Sequence, residues 1–571
     1  ATTNMANKSN KIQALIQLLL FGGILLFINV LGSYLYTSFD LTEDKRFTLT
    51  NATTNLLGAI DDPVTIRVLL TGKFSKGFKR LQRATEEMLS DFNGQNGYIE
   101  YVFEDPFDGT TEEVQTRQQE MAKDGIIPTR LSDKEIDETS EQYIYPWVII
   151  YYKNRFRSVN LLENQTPGAN PEVVINNSIS LLEYKLADAI QKIKNETPPV
   201  IAFTAGHGEL IPAQTASLEK ELRRYSATGR IVLDSTIEIS QKVDVLVVAK
   251  PTKPFSEKDK FKIDQYVMNG GKMLWLIDRM DITIDSLRGK PFYIPMDYPL
   301  NLEDILFRYG VKIEPNLVLD MEASRIPLVV GETGGKAQQE LFPWYYHPLV
   351  ASRSDHPIVK SLDRVNMFFP SGLDTTVMTP TPVKKTVLLQ SSPYTRTQFN
   401  PVRVNTQIAR YKPDETKFNK PSIPLAVLLE GSFTSVYRNR PPFSVDELEK
   451  IGITFKEQGV STQMIVVSDG DVARNNIIPS TGAVEPLGYN KFEHYTFANS
   501  LFLTNAIDYL LDNEGVIEAR GREVKLRLLD KVRAKNEKTG WQIFNLGLPL
   551  LCLGIFGILF RFTRKKRFTT A

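Results

Sequence analysis

The hydrophobic pattern divides the chain into two unbroken apolar stretches near its ends and a long middle where short apolar runs alternate with helical periods. Between Lys11 and Asp40 there is no charged residue, and Leu15 to Tyr36 is rich in Leu, Ile, Phe and Gly. Between Lys538 and Arg561 there is again none, and Trp541 to Phe560 is almost entirely apolar. A helix needs ~20 such residues to cross a hydrocarbon core. Both stretches are therefore expected to span a membrane, over 14–37 and 541–561, leaving short tails at 1–13 and 562–571. The first run is too long for the apolar part of a signal peptide, and no Ala-x-Ala-like site follows it. An even number of spans puts both tails on one side and the middle on the other.

The middle begins with an α/β pattern, expected as a first domain over 44–196. Val64–Leu70 is β-branched and reads as a strand. Phe78, Leu81, Ala84, Met88 and Phe92 recur at helical spacing, and Tyr98–Phe103 reads as a second strand. Tyr145–Tyr152 and Arg155–Leu161, joined by Lys153-Asn154, form a hairpin pattern. Ile179, Leu182, Leu186, Ala189, Ile190 and Ile193 share one helical face. The polar, proline-ended stretch 194–199 marks a domain boundary.

A second, larger domain is expected over 198–515, with strands at Val200–Thr204, Val245–Ala249, Met273–Ile277 and Gln463–Val467. Continuous apolar runs of this kind suit strands buried on both faces of a parallel sheet. Helical spacing links Leu218, Leu222 and Tyr225, then Ile263, Tyr266 and Val267 behind a Ser256/Asp259 capping-box pattern. It links Leu302, Ile305, Leu306 and Tyr309 ahead of Gly310, and lastly Phe502, Ala506, Tyr509 and Leu510. The alternation predicts an open, doubly wound sheet. Residues 321–460 interrupt it with 14 of the chain's 32 prolines and two strand patterns, Val387–Leu389 and Leu425–Leu429. This is expected to be an irregular, β-containing insertion. Val524, Leu528 and Val532 predict a charged juxtamembrane helix over 516–540.

Composition narrows the function. A charged fraction of 24% and a net charge of +1 fit neither a disordered chain nor a nucleic-acid surface. The single cysteine, Cys552, lies inside the second apolar run, which excludes an intrachain disulfide and a thiol nucleophile in the aqueous part. Basic residues flanking the runs number seven on the outer tails and nine on the inner flanks, so they do not choose a side. The Arg564-Lys565-Lys566-Arg567 cluster abutting a span leans toward a cytoplasmic C-terminus.

Ligands of open α/β sheets bind at the carboxyl ends of the strands. Here those ends carry Gly206-His207-Gly208-Glu209, Lys250-Pro251, Asp278-Arg279 and Ser468-Asp469-Gly470-Asp471. His207, Glu209, Asp278, Asp469 and Asp471 are the candidate ligand-binding residues. His207 and Glu209 have the chemistry of an acid–base pair or a metal site, and equally of a turn bonded to its own backbone. The aspartates suit either a cation or loop capping. His347 and His356, each followed by proline, read as loop residues, and His494 among Phe492, Tyr495 and Phe497 reads as a packing residue. There is no Gly-x-Ser-x-Gly elbow or His-Glu-x-x-His motif. Neither Gly270-Gly271-Lys272 nor Gly334-Gly335-Lys336 has a Ser or Thr after the lysine, so the chain lacks a phosphate-binding loop for ATP. No catalytic residue, cofactor or metal is predicted.

Taken in order, 39–49 after the first run, Phe203-Thr204-Ala205-Gly206-His207-Gly208-Glu209, Tyr266–Lys272, Leu302–Asp320, Val467–Asp471 and Asn499–Leu511 resemble the GldG family. These are gliding-motility-associated auxiliary subunits of ABC transporters in Bacteroidetes. The resemblance implies an inner-membrane chain with two transmembrane helices, both termini cytoplasmic and the main domain periplasmic. It implies partners too: a multi-span permease (GldF-like) and a cytoplasmic ATPase (GldA-like), with two copies of the chain fitting a paired permease. It implies a flavodoxin- or amidotransferase-like parallel-sheet domain, shared with an intraflagellar-transport subunit, beside a smaller α/β domain. The amidotransferase cysteine has no counterpart here. The expected function is non-enzymatic: an anchored accessory subunit whose periplasmic domain binds a ligand or an envelope partner. The alternative is a glycan-binding or hydrolytic module built on the rim around His207 and Glu209.

Overall fold

A computed structural model describes residues 16, 19–27, 48–72, 76–131, 142–163, 171–333, 336–420, 422–439, 454–521 and 537–568. They belong to two compact units, Ala1–Arg522 and Glu523–Ala571.

In the region before residue 195 the expected strands and helices form, and the helix Thr111–Lys123 and the short hairpin Thr129–Leu131 with Gln142–Ile144 are added to them. After helix α1 (Asn51–Gly58) come β1 (Val64–Val68), helix α2 (Lys76–Gln95) and β2 (Ile99–Phe103). The strands β3 (Trp147–Tyr152) and β4 (Arg155–Asn160) form the expected hairpin, turning at Lys153 in the left-handed region. The sheet order is β2-β1-β3-β4, with β1 parallel to β2 and antiparallel to β3. The amphipathic helix is α3 (Leu182–Lys194), and Ile179 lies in the separate helix Pro171–Ser180 before it. Leu81, Leu89 and Phe92 of α2 and Leu186, Ala189 and Ile190 of α3 close over the sheet in one core.

The second domain is a helix–sheet–helix sandwich. Its strands are β5 (Val200–Ala205), β6 (Ala227–Val232), β7 (Val245–Ala249), β8 (Lys272–Leu276), β9 (Val383–Gln390), β10 (Pro424–Thr434) and β11 (Gln458–Val467). The spatial order is β9-β10-β11-β8-β7-β5-β6. Helices α4 (Ala216–Leu222) and α7 (Asn499–Leu511) cover one face, where Phe203, Val247, Leu276 and Val467 meet Leu218, Phe502 and Ala506. Helices α5 (Glu257–Met268) and α6 (Glu303–Tyr309) cover the other, where Leu246, Trp275 and Val466 meet Ile263, Tyr266 and Tyr309. Odd and even strand residues thus feed two cores, as the two-residue strand repeat requires.

Two features depart from the expected parallel sheet. The five strands from β11 to β6 are parallel, but β10 runs antiparallel to β11 and β9 antiparallel to β10, so the sheet is mixed. Both come from the proline-rich insertion, which therefore extends the sheet as well as interrupting it. Burial on both faces gives β10 the same continuous apolar run whichever way it points. Strand β6 was not foreseen: it lies at the edge, and Ala-Thr-Gly-Arg-Ile-Val has little apolar periodicity. The rest of the insertion makes a long hairpin, Ala323–Thr333 with Lys336–Val350, and pairs Asn316–Asp320 with Thr395–Phe399 around a separate core containing Leu317, Leu319, Trp344, Tyr346 and Phe369.

Val516–Gly521, the start of the predicted juxtamembrane helix, forms a 3-10 turn, and Val516 completes the core of the first domain. The Asp512 carboxylate holds this return by accepting the N–H groups of Glu514, Gly515 and Ile517. Val524, Leu528 and Val532 lie outside the described residues. In the second unit α8 (Lys538–Phe568) is a single helix. Its segment Lys538–Thr563 is long and apolar enough to cross a membrane, and its large apolar side chains are exposed. Pro549 falls within it, which membrane helices tolerate. Among the described residues this is the one helix both long and apolar enough to span. Of the other expected span only Ile16 and Leu19–Phe27 are described, and they are helical and exposed.

Candidate functional site

The five candidate residues lie beyond the carboxyl ends of three parallel strands of one sheet, β5, β8 and β11. The structure sorts them into two buried clusters. Beyond β5 the chain turns through Gly206 (φ 114°) and Gly208 (φ 76°), conformations that favour glycine. A Cβ on Gly208 would stand 2.1 Å from Thr252 Oγ1. The turn aims His207 inward, 5% exposed, with its ring stacked on Phe255 at 3.9 Å. The His207 carbonyl accepts the N–H groups of Thr252 and Lys253, both at 2.9 Å, and its own N–H donates to Glu209 Oε2 at 2.6 Å.

The His207 imidazole is held between two carboxylates. Nε2 is 3.3 Å from Asp259 Oδ2, and Nδ1 is 3.5 Å from Glu209 Oε1, an ionic contact rather than a good hydrogen bond. Asp259 was legible only as a capping residue of α5. It keeps that role, its N–H donating to Ser256 Oγ, and it also accepts a hydrogen bond from Lys262 at 2.9 Å. Burial alone would lower the His207 pKa, but Glu209 and Asp259 more than offset it and hold the ring above the ordinary histidine value. Burial likewise works against the Glu209 carboxylate, and the His207 contact and the backbone N–H groups that it accepts together outweigh it, so Glu209 sits below its usual range.

These directions fix a pH dependence. A raised histidine pKa contributes stability that is complete below the unfolded value of 6.5 and is lost as pH rises through the folded one. The lowered Glu209 pKa contributes stability above 4.5 that is lost as pH falls through its folded value. The pair therefore helps most between these limits. His207→Phe, which keeps a ring against Phe255, should lower the unfolding midpoint more at pH 5.5 than at pH 8.5. An equal loss at both would show that the charge contributes nothing.

The second cluster joins the ends of β7, β8 and β11, whose in-register residues Ala249, Leu276 and Val467 bring the following residues side by side. Lys250, in the left-handed region at φ 52°, places its ammonium 2.7 Å from Asp278 Oδ2 and in contact with Asp471 Oδ2. Asp278 also accepts the Gly470 N–H, and Asp469 accepts the N–H groups of Asp471 at 2.8 Å and Phe368 at 2.7 Å. Gly470 is required by crowding: a Cβ there would stand 2.5 Å from the Lys250 Cβ. Arg474 reaches Asp471 at 3.3 Å from the outer side.

Burial works against the Lys250 ammonium, but Asp278 and Asp471 overcome it and raise its pKa. Burial raises Asp278 against the pull of Lys250, and burial with Asp278 and Asp471 nearby raises Asp469 well above the carboxylate range. All three aspartates and Lys250 are under 10% exposed. The cation that these carboxylates hold is therefore the lysine ammonium, and Lys250 joins the five candidate residues.

The other histidines need correction. His347 is not in a loop: it lies in the long strand Lys336–Val350, 5% exposed. His356 does sit in a turn, its Nδ1 accepting the Ile358 N–H at 3.4 Å. His494 is not a packing residue. It is exposed, in the left-handed region at φ 49°, between the short strands Tyr489–Asn490 and Tyr495–Thr496.

The mixed-sheet domain thus closes its strand ends with its own side chains, and a helix long and apolar enough to cross a membrane belongs to a separate unit. Residues 198–506, more than half of the chain, match the family model described as ABC-type uncharacterized transport system, and the chain belongs to that family. A model described as a domain of unknown function matches 43–151. A protein of Borreliella burgdorferi described as uncharacterized is 23% identical over 572 residues, covering 99% of this chain and all of that one. The N-terminal domain of mmIFT52 aligns with 55% of this chain and 97% of its own, at 13% identity and a TM-score of 0.30, too low to bear on the fold.

Proposed function

We propose that this chain is a non-enzymatic, membrane-anchored accessory subunit of an ABC transport system, of the GldG kind, acting in gliding motility and its associated secretion. The observation that carries this reading is the family match across the second domain. In it, the large domains lie on the periplasmic side of the inner membrane and bind a ligand or an envelope partner. Both termini are cytoplasmic, two copies serve one complex, and the partners are a GldF-like permease and a GldA-like ATPase. ATP hydrolysis belongs to the ATPase. The burial and internal bonding of His207, Glu209, Asp278, Asp469 and Asp471 favour a structural role for them over a hydrolytic one.

The long exposed apolar surface of α8 supports a packing role in the bilayer. Helices associate there through close packing and interhelical hydrogen bonds, and α8 offers Gly547, Gly554 and Gly557, with open space around each. The test is site-specific photo-crosslinking from positions 546–558 in native membranes. Adducts with one multi-span membrane protein, confined to one helical face, are the expected result. Adducts with lipid alone at every position would contradict the proposal.

A further inference from the structure

Above the Lys250 cluster lies a cleft of about 780 Å³, between the loops that follow β8 and β11 and the long hairpin of the insertion. Its size suits a small molecule, and it opens at the carboxyl ends of the parallel strands. Two of its lining residues carry buried polar atoms with no partner. His347 Nε2 is one. Its ring is 5% exposed and held edge-on by Phe368 at 4.9 Å and Phe369 at 4.8 Å. Asn366 Oδ1 is the other. That residue is 3% exposed, and its backbone N–H and C=O are both taken by the Asn499 side chain. Folded proteins leave few such atoms unpaired, and two lining one cleft mark a place where an outside molecule supplies the bonds.

The chemistry of the site narrows the class of that molecule. Burial pushes the His347 pKa down to about 3, so the ring is neutral, and the Asn366 carbonyl is neutral as well. Neutral atoms in an aromatic surround suit hydroxyl groups, which donate and accept, whereas a charge placed there would be desolvated without a counter-ion. At the rim the balance is different. Arg288 is paired with Asp285 at 2.7 Å and Arg474 with Asp471 at 3.3 Å, which leaves Arg325 and Lys491 against Glu485, and Arg325 is exposed. Phe492, 40% exposed, offers a ring face on the same rim.

We infer that this cleft binds an anionic saccharide, its ring hydroxyls bonded to His347 and Asn366 and its acidic group facing the basic rim. This deepens the ligand-binding part of the proposed function and rests on it, but not on which proteins the chain assembles with.

The experiment is saturation-transfer NMR and calorimetry on the full chain in detergent. The probes are uronic acid disaccharides and hexose phosphates, with maltose and inorganic phosphate as comparisons. The acidic saccharides should bind, and maltose and phosphate should bind far more weakly. His347→Phe, which fills the aromatic surround, and Arg325→Glu should each weaken binding roughly tenfold or more, as expected when a bonded or charged partner is removed. Phe307→Ala, in a groove elsewhere on the domain, should leave binding unchanged. The inference is overturned if no acidic saccharide binds at millimolar concentration, if maltose or phosphate binds as tightly, or if neither cleft variant changes the affinity. Such a failure would leave the photo-crosslinking result untouched, so the two readings fail separately.

Discussion

Lys250→Met should destabilise the second domain by about 3–5 kcal/mol, the cost of removing one partner from a buried ion pair. Methionine fills most of the lysine volume, so the loss reports on charge rather than on a cavity. In the native chain the ammonium lies between Asp278 and Asp471, with Asp469 alongside. Its raised pKa keeps this stability in place up to the unfolded value of 10.5, with loss only at more alkaline pH, and on the acid side the pairing ends where the carboxylates take up protons. Without it, the carboxylates must be buried unpaired or take up protons. Their folded pKa values, already raised for Asp278 and Asp469, should rise further. The variant should therefore regain stability as pH falls, and Lys250→Met with Asp278→Asn should be more stable than Lys250→Met alone. Urea unfolding of the full chain in detergent at pH 5 and pH 8 measures both. A loss under about 1 kcal/mol, the range of an exposed pair, would show that the cluster is hydrated.

The second large effect is expected where the two domains of the first unit meet. Lys192 of α3 lies 3.0 Å from Asp188 on its own helix and 2.9 Å from Asp508 on α7 of the other domain. Its ammonium also stands 4.0 Å from the centre of the Tyr225 ring. Gln191 adds a hydrogen bond to Asp512 at 3.1 Å. Burial already raises the Asp188 pKa against the opposing effect of Lys192. Lys192→Met leaves Asp188 and Asp508 facing each other with their cation gone, a cost of about 3 kcal/mol. The loss falls on the contact between domains, so the expected signature is a split of one unfolding transition into two. Cleavage after the exposed Glu196 by a glutamate-specific protease should also become faster. A single transition with unchanged cleavage would mean that the domains are held together by their apolar contacts.

What could be read from the sequence, and what could not, follows from the range of the forces involved. Local periodicity marked β7 and β8 because burial on both faces makes every residue apolar. It marked α5 because Ser256 caps it through the Asp259 N–H, three residues on. The same periodicity is blind to partner and direction, and so Leu425–Leu429 read as a strand of the insertion, not as the antiparallel neighbour of β11 in the main sheet. It is blind to long-range closure as well: Val516 belongs to the core of a domain that otherwise ends near residue 194. Proline after His347 pointed to a loop. Pro348 is instead tolerated opposite Ala323, where the hairpin register is irregular.

At the strand ends, sequence reading found the five polar residues and placed them together, because topology alone brings strand carboxyl ends to one rim. It did not find how they are paired. Lys250 belongs among them because its left-handed backbone turns the side chain inward, and no local pattern announces that. Asp259 was legible as a helix cap, and its second role toward His207 depends on a turn fifty residues away. His347 and Asn366 carry no motif. Only the packing of the insertion against the sheet shows that their polar atoms are buried without partners.

The central claim is that the chain belongs to a transporter assembly and is not a free-standing enzyme. Affinity purification of the full chain from its native membrane in mild detergent, with every stable partner identified, tests it most directly. A multi-span permease and a cytoplasmic ATPase recovered in fixed ratio to the chain is the predicted result. Recovery of the chain alone, or only with envelope proteins unrelated to transport, would contradict it.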